Sequence, residues 1–197
     1  MQIIVSTRNR SKAQQIKNIF ERLPISLFTL DDVGIEGSAV EDGATLAENA
    51  LKKARYAWER SKQWSVADDT GIFIDALDGA PGVHSARWAG NISTEEIMRF
   101  TLEQLRDVPE GKRGAMFRTV AALVSPEGVE HIFEGVVSGI ILQEPRTKCL
   151  PDMPYSAIFV PDGRKTTWAE MTHEERNQKT HRGEAFRKVC EFLASLK

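Results

Sequence analysis

Two adjacent aspartates stand in the stretch Ala67-Asp68-Asp69-Thr70-Gly71, with Glu41, Asp42 and Glu48 upstream. Carboxylates flanked by apolar strand segments are costly to bury unless they are solvated, paired or bound to a cation. Their oxygens suit Mg²⁺, which keeps several waters and is commonly shared with substrate phosphates. The same residues could instead form an Asp-Asp-Thr-Gly turn held by Asx-type bonds. Glu48 also has a simpler reading, because it stands at capping-box spacing from Thr45.

A second candidate is Ser6-Thr7-Arg8-Asn9-Arg10-Ser11-Lys12, where a first strand feeds a first helix. A helix N-terminus offers free N–H groups and a positive dipole end, and Lys12 adds a cation, so the turn could cradle phosphate. Alternatively, Asn9 or Ser11 simply caps the helix. A third candidate gathers Arg176, Lys179, His181 and Arg182 ahead of the last helix. Guanidinium forks suit phosphate oxygens or purine carbonyls, although a solvated basic turn accounts for the same residues. His84 and His173 carry no partner pattern and are read as structural or surface residues. The P-loop, the dinucleotide fingerprint, the zinc-protease helix and the hydrolase elbow are all absent from the sequence.

The elements that must position these groups follow from hydrophobic period and turn chemistry. Residues 2–6 read as a buried strand and 11–23 as a helix with Ala13, Ile16, Phe20 and Leu23 on one face. A turn or short strand covers 25–35, and a second helix runs over 46–62 with Ala47, Ala50, Leu51, Ala54 and Trp58 as its stripe. Strand pieces are expected at 64–67 and 71–75, on either side of the aspartates, followed by a turn at Gly79-Ala-Pro-Gly82. A helix over 94–106 precedes two strands, 115–124 and 130–141, joined as a hairpin, then a strand over 155–160. Thr172 caps a short helix, and a helix over 184–196 closes the chain with Phe186, Val189, Leu193 and Leu196 inward. Early alternation of strands and helices, then direct strand pairing, predicts an α/β fold with a mixed sheet.

Composition bounds the rest. With 197 residues, 26 basic and 28 acidic side chains, the net charge is −2, so any anion site must be local. That balance gives no broad reason to bind nucleic acid. No apolar stretch reaches the roughly 20 residues of a membrane span. The short apolar start reads as a strand, not an export signal. Two distant cysteines, Cys149 and Cys190, argue against a disulfide framework or zinc site and fit a reducing, cytoplasmic setting. One domain spanning 1–197 is the simplest organisation.

Taken in order, the motifs resemble the inosine triphosphate pyrophosphatase family. Its T-x-N-x-x-K element is matched by Thr7, Asn9 and Lys12, and its acidic element with E-N-A by Glu41 and Glu48-Asn49-Ala50. A-D-D-[ST]-G is matched by residues 67–71 and G-A-P-G by 79–82. Ser85-Ala-Arg87 with Ala89-Gly90, the R-x-A-x-F residues Arg113, Ala115 and Phe117, and His181-Arg182-Gly183 complete the set. The resemblance covers nearly the whole chain.

The resemblance implies an elongated mixed β-sheet flanked by helices, with two lobes around a central cleft. It implies Mg²⁺-dependent attack of water at the α-phosphorus of non-standard purine nucleoside triphosphates (ITP, dITP, XTP), releasing pyrophosphate. Glu41 and Asp69 are the expected metal ligands, with Asp68 adjacent, and Asp69 the expected water activator. Thr7, Asn9 and Lys12 should position phosphates, and Thr70 should lie beside the substrate. Met153, Pro154, Tyr155, Ser156, Arg176, His181 and Arg182 should surround the base. A homodimer is also implied, with no nucleic-acid or membrane partner.

The departures from the family cluster on the base side. Its F-G-Y-D-P-I-F loop aligns with Met153-Pro-Tyr155-Ser-Ala-Ile-Phe159, and a base-associated lysine appears as Arg176. Met153 offers a polarizable thioether without an aromatic plane. Pro154 removes a backbone donor, and arginine does not replace lysine neutrally. Arg8 replaces a glycine beside the phosphate turn. These changes leave two alternatives to the expected activity on ITP, dITP and XTP: the same chemistry with a shifted base preference, or a nucleotide-binding regulator without turnover.

Overall fold

The strand that carries the two aspartates is continuous. In the computed structural model, β3 runs unbroken over Trp64–Ile74, where two pieces around a turn were expected. Eight of its eleven residues are buried, and the neighbouring strands β1 and β5 supply backbone partners that a turn would leave to water. The structure describes residues 1–197 apart from Arg22, Asn91, His173, Glu174, Asn177, Gln178, Lys179 and Lys197. The readings of His173 and Lys179 therefore lie outside the described residues.

In chain order the other elements are β1 (Gln2–Val5), α1 (Arg10–Phe20), β2 (Ser26–Thr29), α2 (Leu46–Ser61), β4 (Pro81–Gly82) and α3 (Thr94–Gln104). They are followed by β5 (Gly114–Val124), β6 (Glu130–Ile141), β7 (Phe159–Pro161) and α4 (His181–Ser195). The sheet order is β2-β1-β3-β5-β6-β7, with β4 paired to β3. β1 pairs in parallel with β2 and β3, whereas β4 on β3 and β7 on β6 are antiparallel. The mixed α/β sheet expected from the sequence is therefore observed.

The chain divides into two compact units. The first comprises Met1–Thr70, Thr119–Gly135 and His181–Lys197; the second comprises Gly71–Arg118 and Val136–Thr180. In the first unit, Ile3, Val5 and Val66 of the sheet pack with Ile16 and Phe20 of α1 and Phe186, Val189 and Leu193 of α4. A separate cluster joins Ile4, Leu30 and Ile35 to Ala57 of α2. The buried face of α2 is lined by Ala50, Ala54 and Ala57, all fully buried. Small side chains let a helix approach closely, and this brings the polar positions Asn49 and Lys53 within reach of β3. In the second unit, Phe117 packs against Tyr155, Phe159 and Trp168.

Three expectations shift at their edges. Residues 155–158 form turns, closed by Ile158 N–H and Phe159 N–H donating to the Tyr155 carbonyl at 3.2 and 3.0 Å, and the strand begins only at Phe159. The final helix starts at His181, not 184, so His181 and Arg182 occupy its first turn. Leu196 lies beyond the end of α4 and is exposed.

Candidate active site

Successive side chains of a strand point to opposite faces, and β3 applies this to its two aspartates. Asp69 faces α2. Its Oδ1 accepts from Lys53 Nζ at 2.9 Å, and the same ammonium donates to Glu41 Oε2 at 2.9 Å. Asn49 donates through Nδ2 to Asp69 Oδ2 at 3.3 Å, while its Oδ1 accepts the Gly43 N–H at 2.8 Å. One amide thus ties the Glu41–Gly43 segment to the aspartate. Burial raises the Asp69 pKa, with Glu41 adding to the rise and Lys53 opposing it. Burial works against the Lys53 charge, but Asp69, Asp68 and Glu41 together raise its pKa above the ordinary value.

Asp68 faces the opposite side. Its Oδ2 accepts from Arg182 Nε at 3.2 Å and lies 3.7 Å from Lys12 Nζ. The carboxylate is 1% exposed. Burial alone would protonate it, but Lys12, Arg182 and Lys53 outweigh that and hold its pKa well below the carboxylate range. Thr70, two residues on, shares this face. Its hydroxyl lies 3.3 Å from Asp68 Oδ2 and 2.7 Å from Thr119 Oγ1, which contacts His181 Nδ1 at 2.5 Å. Burial, reinforced by the Arg182 charge, pushes the His181 pKa down to about 3. The three metal candidates therefore do not converge: Glu41 and Asp69 meet at one ammonium, while Asp68 turns away to two cations.

The turn ahead of α1 is capped by its own side chains. Asn9 Oδ1 accepts the Lys12 N–H at 3.0 Å, so Asn9 caps α1. The Asn9 N–H donates to Thr7 Oγ1 at 3.2 Å. Arg8 turns away from the cap: it donates to the carbonyls of Ile35 and Gly37 and pairs with Asp31. Arg8 therefore fastens the 31–37 loop. At the next helix, the Glu48 N–H donates to Thr45 Oγ1 and Glu48 Oε2 accepts the Ala44 N–H at 2.7 Å, so Glu48 serves the cap. Asp42 pairs with Lys52.

The remaining base-side candidates belong to the second unit. Tyr155 is buried and donates to the Ser85 carbonyl at 2.9 Å. Ser156 accepts the Leu150 N–H at 2.8 Å and donates to the Met153 carbonyl at 2.7 Å. Arg176 donates to the carbonyls of Trp168 and Met171. These three polar groups are engaged within their own unit, whereas Met153 and Pro154 are half-buried. The R-x-A-x-F element is also structural there, since the buried Arg113 donates to the carbonyls of Leu105, Val108 and Leu142.

The Ham1 family model matches residues 3–192. The chain belongs to the Ham1 family. It is 40% identical over 194 residues to a dITP/XTP pyrophosphatase of Thermoanaerobacter pseudethanolicus, covering 98% of this chain and 96% of that protein. A dITP/XTP pyrophosphatase of Leifsonia xyli is 41% identical over 198 residues, covering 100% and 97%. The Ham1 protein of Staphylococcus aureus superposes with a TM-score of 0.90 at 29% identity over the whole of both chains. A Ham1 protein from Coxiella burnetii gives 0.90 at 32% identity, covering 99% of each chain.

Sequence reasoning gave no role in this Ham1 site to Lys53, Asn49, Thr119 or Gly135. Asn49 and Lys53 lie four apart on the alanine-lined face of α2, a spacing that shares one helix side. A polar pair on a buried helix stripe was the available signal. Thr119, one hydroxyl in a β-branched strand, gave no signal. Gly135 stands inside β6, where glycine marks a close backbone approach. A Cβ there would meet the His181 carbonyl at 2.0 Å, so this glycine lets the first turn of α4 settle against the strand.

Proposed function

We propose that this Ham1-family chain hydrolyses non-canonical purine nucleoside triphosphates, dITP and XTP among them, to the monophosphate and pyrophosphate. The observation that carries the reading is the interleaving of Lys12, Lys53 and Arg182 with Glu41, Asp68 and Asp69 around β3. Such a cluster offers both cations for a polyphosphate and carboxylates for a proton and a metal. Relatives near 40% identity across the chain carry that activity in their names.

Each residue then has a role. The α1 N-terminus, Thr7, Asn9 and Lys12 bind phosphate oxygens. Asp68 is no metal ligand in this reading; it holds Lys12 and Arg182 in place. Glu41 and Asp69 supply hard oxygens at one point, and that donor pair fits a divalent cation which completes its shell with water and phosphate. Mg²⁺ is the proposed ion, and when bound it neutralises charge on the triphosphate and lowers the pKa of a bound water. Asp69 takes the proton of the water that attacks the α-phosphorus, and the bond to pyrophosphate breaks. Burial suits Asp69 to this, because a raised pKa makes it a stronger base than an exposed aspartate. Lys53 steadies the charges of Glu41 and Asp69 between turnovers. His181 and Thr70 lie on the Asp68 side, and His181 faces the base.

A homodimer in the cytoplasm accompanies this reading, on the strength of the family resemblance; light scattering tests the oligomer. Among the described residues, no helix is long and apolar enough to cross a membrane. The deciding experiment is a product assay with Mg²⁺ over ITP, dITP, XTP, GTP, ATP, UTP and CTP, with pyrophosphate and orthophosphate quantified separately. Pyrophosphate from ITP, dITP and XTP is expected. Orthophosphate alone, or no product from any of them with folded protein, would overturn the reading.

A further inference from the structure

The hydroxyls between Asp68 and His181 have a direction. A carboxylate only accepts hydrogen bonds. Asp68 Oδ2 and Thr70 Oγ1 lie 3.3 Å apart with the carboxylate 1% exposed, so a hydrogen belongs between these oxygens. Thr70 has one hydroxyl hydrogen, and it is used there. Arg182 Nη2, 3.5 Å from Thr70 Oγ1, meets that oxygen as an acceptor and agrees with this direction. The 2.7 Å contact between Thr70 and Thr119 must then use the Thr119 hydrogen. The contact between Thr119 Oγ1 and His181 Nδ1 is left with the ring hydrogen as its only source. Thr119 is fully buried and His181 is 6% exposed, so water does not readily re-orient the chain.

We propose that Thr119 is a positioning residue that fixes His181 in the tautomer protonated at Nδ1, which leaves Nε2 as a hydrogen-bond acceptor. A donor tautomer would read the 6-keto oxygen of a purine; an acceptor reads the N1–H instead. That N–H is present on 6-keto purines and absent from adenine, whose N1 is itself an acceptor. Asp68 thus acts on base choice through Thr70 and Thr119, at a distance of three hydrogen bonds. The recognition half of this inference rests on the functional reading above; the tautomer half does not.

Long-range ¹H–¹⁵N spectra of the free protein decide the tautomer, with the ring signals assigned by His181→Gln. The expected signature is a protonated Nδ1 and an unprotonated Nε2 for His181. Thr119→Val should move His181 toward the Nε2-protonated form and lower the ratio of kcat/KM for ITP over ATP by about tenfold, the scale of one hydrogen bond. Thr119→Ser should restore both. An Nε2-protonated His181 in the wild type, or a tautomer that Thr119→Val does not move, overturns the proposal. An altered tautomer with an unchanged ITP/ATP ratio overturns its recognition half. Failure of the pyrophosphatase reading would show separately, as a wild type that releases no pyrophosphate from ITP, and the spectra would still decide the role of Thr119.

Discussion

Asp68 and Asp69 are neighbours in the chain, yet their carboxylates are held on opposite faces of β3, one by Lys12 and Arg182, the other by Lys53 and Asn49. The two therefore differ in kind. Asp68 is a buried anion whose charge is matched by fixed cations. Asp69 has a raised pKa and shares its cation with Glu41, the arrangement of a group that can exchange a proton. In the proposed mechanism the same carboxylate chemistry divides into an anchor, Asp68, and a base, Asp69, through strand geometry.

Substitution should separate the two. Asp69→Asn is expected to lower kcat by roughly 10²–10⁴, the usual worth of a general base, with little change in Tm. Asp68→Ala leaves Lys12 and Arg182 without their buried partner and should cost about 3 kcal/mol, or a Tm lower by roughly 6–12 °C. Pyrophosphate release and thermal unfolding of both variants check this. Equal loss of stability in the two would refute the division.

The acid limb of the pH–rate profile follows from Asp69. The base works deprotonated, and its pKa is raised, so kcat/KM should fall with decreasing pH at a value above the ordinary carboxylate 3.8. Lys53 opposes that rise. Lys53→Met should therefore move the limb to still higher pH and lower kcat at pH 6. A limb that stays in place would remove Lys53 from the control of Asp69.

His181 couples stability to pH in a different window. Its pKa is lowered from 6.5 to about 3, so the unfolded chain binds a proton that the folded chain refuses between those values. The contribution of His181 is complete above pH 6.5 and is lost as pH falls toward 3, at roughly 1.4 kcal/mol per pH unit. Urea unfolding from pH 6.5 to 4.5 should show a shallower fall for His181→Asn than for the wild type. Asp68, with its pKa depressed, stays ionised throughout that range and does not mask the comparison.

Arg8 offers a check on the 31–37 loop. Arg8→Gly removes the bonds to Ile35 and Gly37 and the pairing with Asp31, all partly exposed. A loss of roughly 1–2 kcal/mol is expected, with KM for ITP within about twofold of the wild type. A large rise in KM would mean that Arg8 reaches the phosphate turn during turnover.

The ordered motifs were legible without coordinates because each rests on short-range chemistry. An Asn cap before Lys12, a Thr cap before Glu48, and a run of Val, Ile and Ala around the aspartates declare a turn, a helix start and a buried strand from neighbouring residues alone. The helix and strand order followed for the same reason. What the sequence left open were choices made by partners far along the chain. Whether Asp68-Asp69-Thr70 was turn or strand depended on the place of β3 in the sheet between β1 and β5, and the continuous extended strand sends the two carboxylates to opposite faces. Lys53 joins Glu41 and Asp69 across separations of 12 and 16 residues. Thr119 meets His181 at a separation of 62, and Gly135 matters only because the first turn of α4 lands on it. Local propensity fixes which groups are available; the long-range packing of helices on the sheet decides which of them share a charge, a proton or a hydrogen bond.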